Sequence, residues 1–398
     1  MPPVARLDVA RAEKGHSVSG QFPRGGLIKT GIELYVTRSE TVHFNVIEKS
    51  VPPIEGMWTR KGSSARQRRP DVLARMSDVS VISTVLNEVD DIDGLVSSLM
   101  EQTLRPAEVV IVDGGSTDRT WERLEAACSR YPSLVAIRDE SCSLKGSSGP
   151  IARGRNVAIA RASSDIIACA DAGCIYGPEW LQRLTEPIVS GKAKYSLGGS
   201  CIDAEGRTIW DIASAPFLGI KLHADEKTKS CTARSMAFRK EVWKSAGGFP
   251  ETVFLIDDTL FDIRARKLAE PAFAEQAKAV YRPSLTVKTA INQLARYAVA
   301  DGAAGVRPAR LFRNLARCVA GVLALALLPF TFIPLLCVLV LEIYFAFRLD
   351  WPSFPGKSSL RQLGARLLFS LMVPWVVSWN HLVGMLTKPQ QINRQNAS

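Results

Sequence analysis

Histidine is scarce in this sequence, with four residues in 398, and the eight cysteines form no C-x-x-C pair. No histidine clusters near them, so the spacing excludes both a zinc site and a disulfide framework. Cys128, Cys142, Cys169, Cys174, Cys201, Cys231, Cys318 and Cys337 therefore read as reduced, mostly buried thiols of a cytosolic domain. No apolar run follows the first residues, so no secretory signal is read there. Charged residues are too few at 22%, and apolar residues too many at 46%, for an acidic or low-complexity disordered chain. Negative charge is in the minority: 50 Lys and Arg stand against 39 Asp and Glu, a formal charge of +11. Such an excess points to an anionic partner, whether nucleic acid, anionic lipid or a phosphorylated small molecule. The basic residues are not interleaved with aromatics on a strand pattern, and nucleic acid is set aside on that ground.

Four regions differ in character. Residues 1–75 hold scattered apolar positions, the turn Phe22-Pro23-Arg24-Gly25-Gly26 and a basic run from Arg60 to Arg69. Leu27-Ile28 and Ile32-Glu33-Leu34-Tyr35-Val36 suit a small strand pair, but a disordered extension fits as well, and no role is assigned. From Asp78 the pattern becomes an α/β alternation. Strands are predicted over Val79–Val85, Glu108–Val112, Leu134–Arg138 and Ile166–Ala170, with helices over 91–102, 119–130 and 150–162. Ser116 or Thr117 is the expected N-cap of the second helix. This order implies a largely parallel sheet covered on both faces, with ligand beyond the C-terminal strand ends. Residues 287–317 follow as an amphipathic region, in which Lys288–Asp301 reads as a helix lying either at a membrane surface or in the core. In 318–390, the stretches 318–341 and 367–386 carry no charged residue, and each is long enough to span a hydrocarbon core. Trp351, Trp375 and Trp379 flank them, while Pro329 and Pro334 make the first one irregular. Arginines at 307, 310, 313 and 317 precede the first stretch, and Lys357, Arg361 and Arg366 lie between the two, so loop charge only weakly orients the chain.

Acidic residues follow apolar strands or turns at Asp113, Asp171 and Asp257-Asp258. A lone aspartate there is usually a turn former, but several in one α/β domain converge on one crevice.

Taken together, Thr84-Val85-Leu86-Asn87-Glu88, Val112-Asp113-Gly114-Gly115-Ser116-Thr117-Asp118, Arg155-Asn156, Asp171 and Ala246-Gly247-Gly248-Phe249-Pro250-Glu251 before Asp257-Asp258 resemble the family 2 glycosyltransferases. The resemblance covers about 78–300. It implies a GT-A fold, Rossmann-like with a mostly parallel sheet over 76–286, followed here by C-terminal transmembrane helices. It assigns nucleotide-sugar binding to Thr84, Asn87, Glu88, Asp113, Arg155, Asn156 and Asp171, and general-base work to Asp258 with Asp257 beside it. The family's Asp-x-Asp motif reads Asp171-Ala172-Gly173 here, so one carboxylate, diphosphate oxygens and water are left to hold Mg²⁺ or Mn²⁺. Gln293-Leu294-Ala295-Arg296-Tyr297 is similar to the Gln-x-x-Arg-aromatic motif of membrane-bound members, which makes Gln293, Arg296 and Tyr297 candidates for the acceptor interface.

The expected activity is inverting transfer of a sugar from a nucleotide-diphosphate donor to a hydroxyl of a lipid-linked or other saccharide acceptor, in polysaccharide biosynthesis. Because such donors are made in the cytosol, the catalytic part is expected on the cytoplasmic side of the inner membrane. A polyprenyl-phosphate sugar synthase is the nearest alternative. A nucleotidyltransferase would need a glycine-rich phosphate loop after the first strand, which Thr84–Glu88 does not supply. A non-catalytic basic membrane scaffold is the alternative from another class.

Overall fold

A computed structural model describes residues 31–36, 42–47, 78–202, 208–219, 232–282, 285–348 and 360–387. Leu27-Ile28, the basic run Arg60–Arg69, Trp351 and much of 200–232 lie outside these. The chain divides into two units, Met1–Ser63 and Ser64–Ser398. The described part of the first is an antiparallel pair, β1 (Gly31–Val36) and β2 (Val42–Ile47), with Gly31 opposite Ile47 and Val36 opposite Val42.

The second unit opens with the expected alternation. The β-branched run Val79–Val85 forms β3, whose side chains are buried at every position but one. Helix α1 (Ile92–Met100) buries Ile92, Leu95, Val96 and Leu99 at helical spacing. Strand β4 (Glu108–Asp113) is buried throughout, as a central strand covered on both faces must be. Helix α2 (Thr120–Arg130), β5 (Leu134–Arg138), α3 (Pro150–Arg161) and β6 (Ile166–Cys169) follow. The N-cap of α2 is Arg119, which makes no side-chain cap, and neither Ser116 nor Thr117 fills that place. Ser116 Oγ donates instead to Asp113, which draws it into the preceding turn.

Beyond β6 the elements are β7 (Cys174–Tyr176), α4 (Trp180–Val189), β8 (Tyr195–Ile202), α5 (Ile209–Ser214), β9 (Met236–Arg239), α6 (Lys240–Ser245), α7 (Asp257–Ala265) and β10 (Ala272–Tyr281). Helices α8 (Val287–Ala303), α9 (Pro308–Ala326), α10 (Ile333–Arg348) and α11 (Leu360–Leu386) complete the described chain. The eight strands of this unit lie in the order β5-β4-β3-β6-β9-β8-β10-β7. Neighbours from β5 to β6 are parallel, as are β8 and β10. Strand β9 runs against both β6 and β8, and β7 against β10, so the sheet is mixed rather than simply parallel. Antiparallel pairing needs no crossover helix, which lets two short strands join reversed. Apolar layers cover both faces: Leu95, Leu99, Leu124 and Trp180 on one, Ile159, Phe238, Phe249 and Phe261 on the other.

The C-terminal helices pack on this body. Leu294 and Ala298 of α8, Ala213 of α5, and Phe369, Val373 and Val377 of α11 form one apolar cluster. The α8–α11 crossing is close because Gly302 and Gly384 face backbone: a Cβ at either position would lie within about 2 Å of the carbonyl oxygen of His381 or Val299.

The first expected span, 318–341, is not one helix. Helix α9 ends at Ala326, residues Leu327–Phe330 turn, and α10 starts at Ile333. Pro329 and Pro334 account for the break, since each lacks an N–H and disfavours helix at the residue before it. Among the described residues one helix, Arg361–Leu386, is long and apolar enough to cross a membrane, and 44% of its most apolar window is buried within the protein. Of the two expected spans, 367–386 falls within that helix. Helix α9 and the turn after it nevertheless expose Phe312, Val319, Val322, Leu323, Phe330 and Phe332.

Candidate active site

The turns after β3 and β4 are tied to each other. Asn87 takes a left-handed conformation (φ 56°), which asparagine tolerates better than most residues. Its Oδ1 accepts from the Thr117 N–H at 2.9 Å, and its own N–H donates to Ser116 Oγ at 2.9 Å. Asp113 is fully buried, and its carboxylate accepts from the N–H and hydroxyl of Ser116. The Glu88 N–H donates to Thr120 Oγ1, while its carboxyl group is pushed up to about 7, chiefly by burial and then by the negative charges of Asp91, Asp118 and Asp171. Thr84 sits half-buried on β3.

A cavity of about 820 Å³ is lined by Arg155, Asp171, Arg234, Asp257, Asp258 and Tyr297, among others. Arg155 is its organising charge. From α3 it donates through Nη2 to Asp171 Oδ1 at 2.6 Å and through Nη1 to Asp257 Oδ2, and its guanidinium lies over the Phe249 ring at 5.5 Å. Its Nε is buried without a partner among the described residues. Asp257 is buried and pushed up to about 6, because burial and the neighbouring Asp258 outweigh the attraction of Arg155. Asp258 is only part-buried, accepting from the Thr259 N–H at 2.6 Å and from the Ala233 N–H at 3.3 Å. Leu255 and Ile256, immediately before this pair, both have left-handed backbones (φ 69° and 52°). Such conformations are costly for branched residues and gather where a site over-determines the chain.

The structure sorts the sequence candidates. Arg155, Asp171, Asp257, Asp258 and Tyr297 share one cavity, whereas Thr84, Asn87, Glu88 and Asp113 form the adjoining strand-end turns. Asn156 has every amide bond engaged internally. Nδ2 donates to the Phe249 carbonyl and Glu251, and Oδ1 accepts from Trp243 Nε1 and the Phe249 N–H. It positions the loop before Asp257 and leaves nothing for a nucleotide. Of the α8 motif Leu294 and Tyr297 line the cavity, while Arg296 stacks on Phe254 at 4.8 Å and Gln293 is not part of the lining.

Arg234, just before β9, has no sequence signal and was missed. Its guanidinium lies 4.4 Å from the Tyr281 ring centre, within the field of Asp171 and with no ion pair among the described residues. Thr232 Oγ1, also on the cavity wall, is buried without a partner among the described residues.

As to a cation, Asp171 has Oδ1 on Arg155, and among the described residues no hydrogen-bond partner is seen for Oδ2. Gly173, at φ 68°, stands where the family motif has a second aspartate. Among the described residues no three His, Cys, Asp or Glu side chains group as a metal site. The donor set therefore fits a cation held by one carboxylate oxygen, with substrate phosphate and water supplying the rest.

A family model described as glycosyl transferase family 2 matches residues 80–245. This segment is a family 2 glycosyltransferase domain. Its match ends at Ser245 in α6, so Asp257 and Asp258 lie just past it. The dolichol-phosphate mannosyltransferase of Pyrococcus furiosus is 34% identical over 128 residues, 30% of this chain and 34% of that protein. Glycosyltransferase AglE of Haloferax volcanii is 34% identical over 125 residues, 31% of this chain and 38% of that protein. The chain thus spans about a third of the length of the curated relatives it matches. Among solved structures, the mannosyltransferase PcManGT of Pyrobaculum calidifontis, in complex with GDP-Man and Mn²⁺, is similar at 17% identity and a TM-score of 0.41, over 77% of this chain and 73% of that one.

Proposed function

We propose that this protein transfers a sugar, with inversion, from a nucleotide-diphosphate donor to a hydroxyl of a lipid-linked saccharide at a membrane surface. The observation that carries the reading is the meeting of Asp171, Asp257 and Asp258 in one cavity around the buried Arg155, with Arg155 and Asp171 inside the family 2 match and the other two just past it. The resemblance to a dolichol-phosphate mannosyltransferase and the exposed apolar surface of α9 support the lipid-linked acceptor and the membrane. The cytoplasmic face of the inner membrane is the expected place, since nucleotide sugars are made in the cytosol.

Asp258 is the base. It is the more open of the acidic pair, and backbone N–H groups hold its carboxylate ready to accept a proton. The acceptor oxygen bonds to the anomeric carbon as the bond from that carbon to the diphosphate oxygen breaks. The acceptor proton passes to Asp258, and the nucleoside diphosphate leaves with the bonding electrons. Arg234, which has no ion pair among the described residues, supplies positive charge in the field of Asp171, where the leaving diphosphate gathers negative charge. A divalent cation, Mg²⁺ or Mn²⁺, would be held by Asp171 and would neutralise part of that charge when bound. Asp257 and Arg155 orient the cluster, and Glu88, Asn87 and Asp113 shape the nucleotide side.

The test is incubation of the full-length protein in membranes with a panel of labelled nucleotide sugars, with and without Mn²⁺ or chelator. Nucleoside diphosphate release together with label in the organic-extractable lipid is expected from one donor. A folded protein that releases nothing from any donor, with lipid acceptors supplied, overturns the reading in favour of a scaffold.

A further inference from the structure

The cavity that holds the carboxylates does not end at them. Its far wall is the first half of α9 with the residue before it, contributing Arg307, Arg310, Arg313 and Arg317. Two of these guanidiniums share a single carboxylate. Arg307 reaches Asp301 Oδ1 at 2.6 Å and Arg310 reaches Oδ2 at 3.3 Å, with Asp301 itself buried. Arg317 is paired with Glu342 and donates to Ser370. Arg313 is exposed to the cavity and has no acidic partner among the described residues. The wall therefore carries about two uncompensated positive charges, counting Arg307, Arg310 and Arg313 against Asp301. It also touches the base segment, since Arg307 Nη2 donates to Thr259 Oγ1 at 3.0 Å, next to Asp258. Arg307 holds a left-handed backbone (φ 55°) to do so.

The same helix changes character one turn further on. Val319, Val322, Leu323 and Leu325 of α9 are exposed, with Phe330 and Phe332 beyond its end. An arginine wall inside a cavity and an uncovered apolar surface on one helix suit one molecule with an anionic head and a hydrocarbon tail. Oxyanions are bound well by guanidiniums because several N–H donors and the charge point the same way.

We propose that Arg307, Arg310 and Arg313 seat the phosphate or diphosphate of an amphiphilic acceptor, whose hydrocarbon lies along the exposed apolar side of α9. Resting on the transferase reading above, it adds the residues that select the acceptor by charge. The arginines hold the acceptor phosphate, Arg313 being the one whose charge is free for it, while Arg307 and Arg310 are held in place by Asp301.

The experiment is equilibrium dialysis of the full-length protein in uncharged detergent micelles against labelled farnesyl phosphate, farnesol and glycerol 3-phosphate. Wild type is expected to bind farnesyl phosphate at least about tenfold more tightly than either of the others. Arg313→Gln is expected to weaken farnesyl phosphate about tenfold and leave farnesol unchanged, with Arg313→Lys recovering part of the loss. Because Arg313 is solvent-exposed, the thermal midpoint of Arg313→Gln is measured alongside to show that it folds. Equal binding of farnesyl phosphate and farnesol, or an Arg313→Gln protein that binds farnesyl phosphate as wild type does, overturns the proposal. Glycerol 3-phosphate binding as tightly as farnesyl phosphate overturns the amphiphile and leaves a soluble phosphorylated acceptor in its place. Binding of UDP and GDP, measured in the same cells, separates the two readings. Loss of all nucleotide binding in wild type would count against the transferase while leaving the arginine wall to stand or fall on the prenyl results.

Discussion

The two walls of the cavity are built by inverse means. On the acidic side one buried arginine, Arg155, holds two aspartates, and on the basic side one buried aspartate, Asp301, holds two arginines. They differ in how much water reaches the paired groups. The Asp257 and Asp171 side chains are 4% and 22% exposed, whereas those of Arg310 and Arg307 are 22% and 39% exposed. A carboxylate cluster kept from water depends on its counter-ion, while long arginine side chains can turn part of their charge to solvent. The acidic wall therefore depends more on its counter-ion than the basic wall does.

The largest expected effect sharpens the assignment within the acidic wall. Asp258→Asn should lower the transfer rate by about 10²–10⁴-fold while the donor dissociation constant stays close to wild type, read from single-turnover kinetics and nucleotide titration. If Asp257→Asn, still folded, proves the more damaging to the chemical step, the base has been placed on the wrong residue. Next in size is Arg155→Met, which leaves the buried Asp257 without its counter-ion and should lose about 3–5 kcal/mol in urea unfolding. Asp301→Asn is the matching change on the basic wall. It should lose only about 1–2 kcal/mol, because the freed guanidiniums are partly solvated. Equal losses from these two variants would break the comparison.

The smallest effect is electrostatic. The carboxyl group of Glu88 sits near 7 in the folded protein against an ordinary 4.5, so the folded state holds its proton more tightly than the unfolded chain does. Its contribution to stability is fully present below about 4.5 and is lost as pH rises through about 7. Glu88→Gln should therefore raise the thermal midpoint by about 2–4 °C at pH 8 and leave it nearly unchanged at pH 4. A gain at pH 4 as large as that at pH 8 would show that the carboxylate is not the strained form.

Legibility in the sequence followed the range of the interactions. Strands β3 and β4 and helix α1 were readable because their buried side chains repeat locally, and the carboxylates were readable because each closes a strand or precedes a helix. Asn156 was recognisable as a motif residue, but its work in holding the loop before Asp257 was not, since its partners lie over 80 residues away. The charge-free stretch 318–341 read as one span, whereas its prolines divide it into α9 and α10. Arg313 read only as a basic residue flanking a hydrophobic run. Arg234 carried no signal at all, because its place beside Tyr281 and Asp171 comes from the strand order.

What the sequence by itself determined is the alternation of strands and helices, the family 2 motifs and the residue types the chemistry needs, because periodicity and turn chemistry act over a few residues. Only the tertiary structure decided that Arg155, bonded to Asp171, reaches Asp257 across 102 positions, that two strands enter the sheet reversed, and that the arginines of α9 face the same cavity as Asp258. These arrangements depend on which surfaces the packed sheet and helices bury against one another, and no local pattern records that choice.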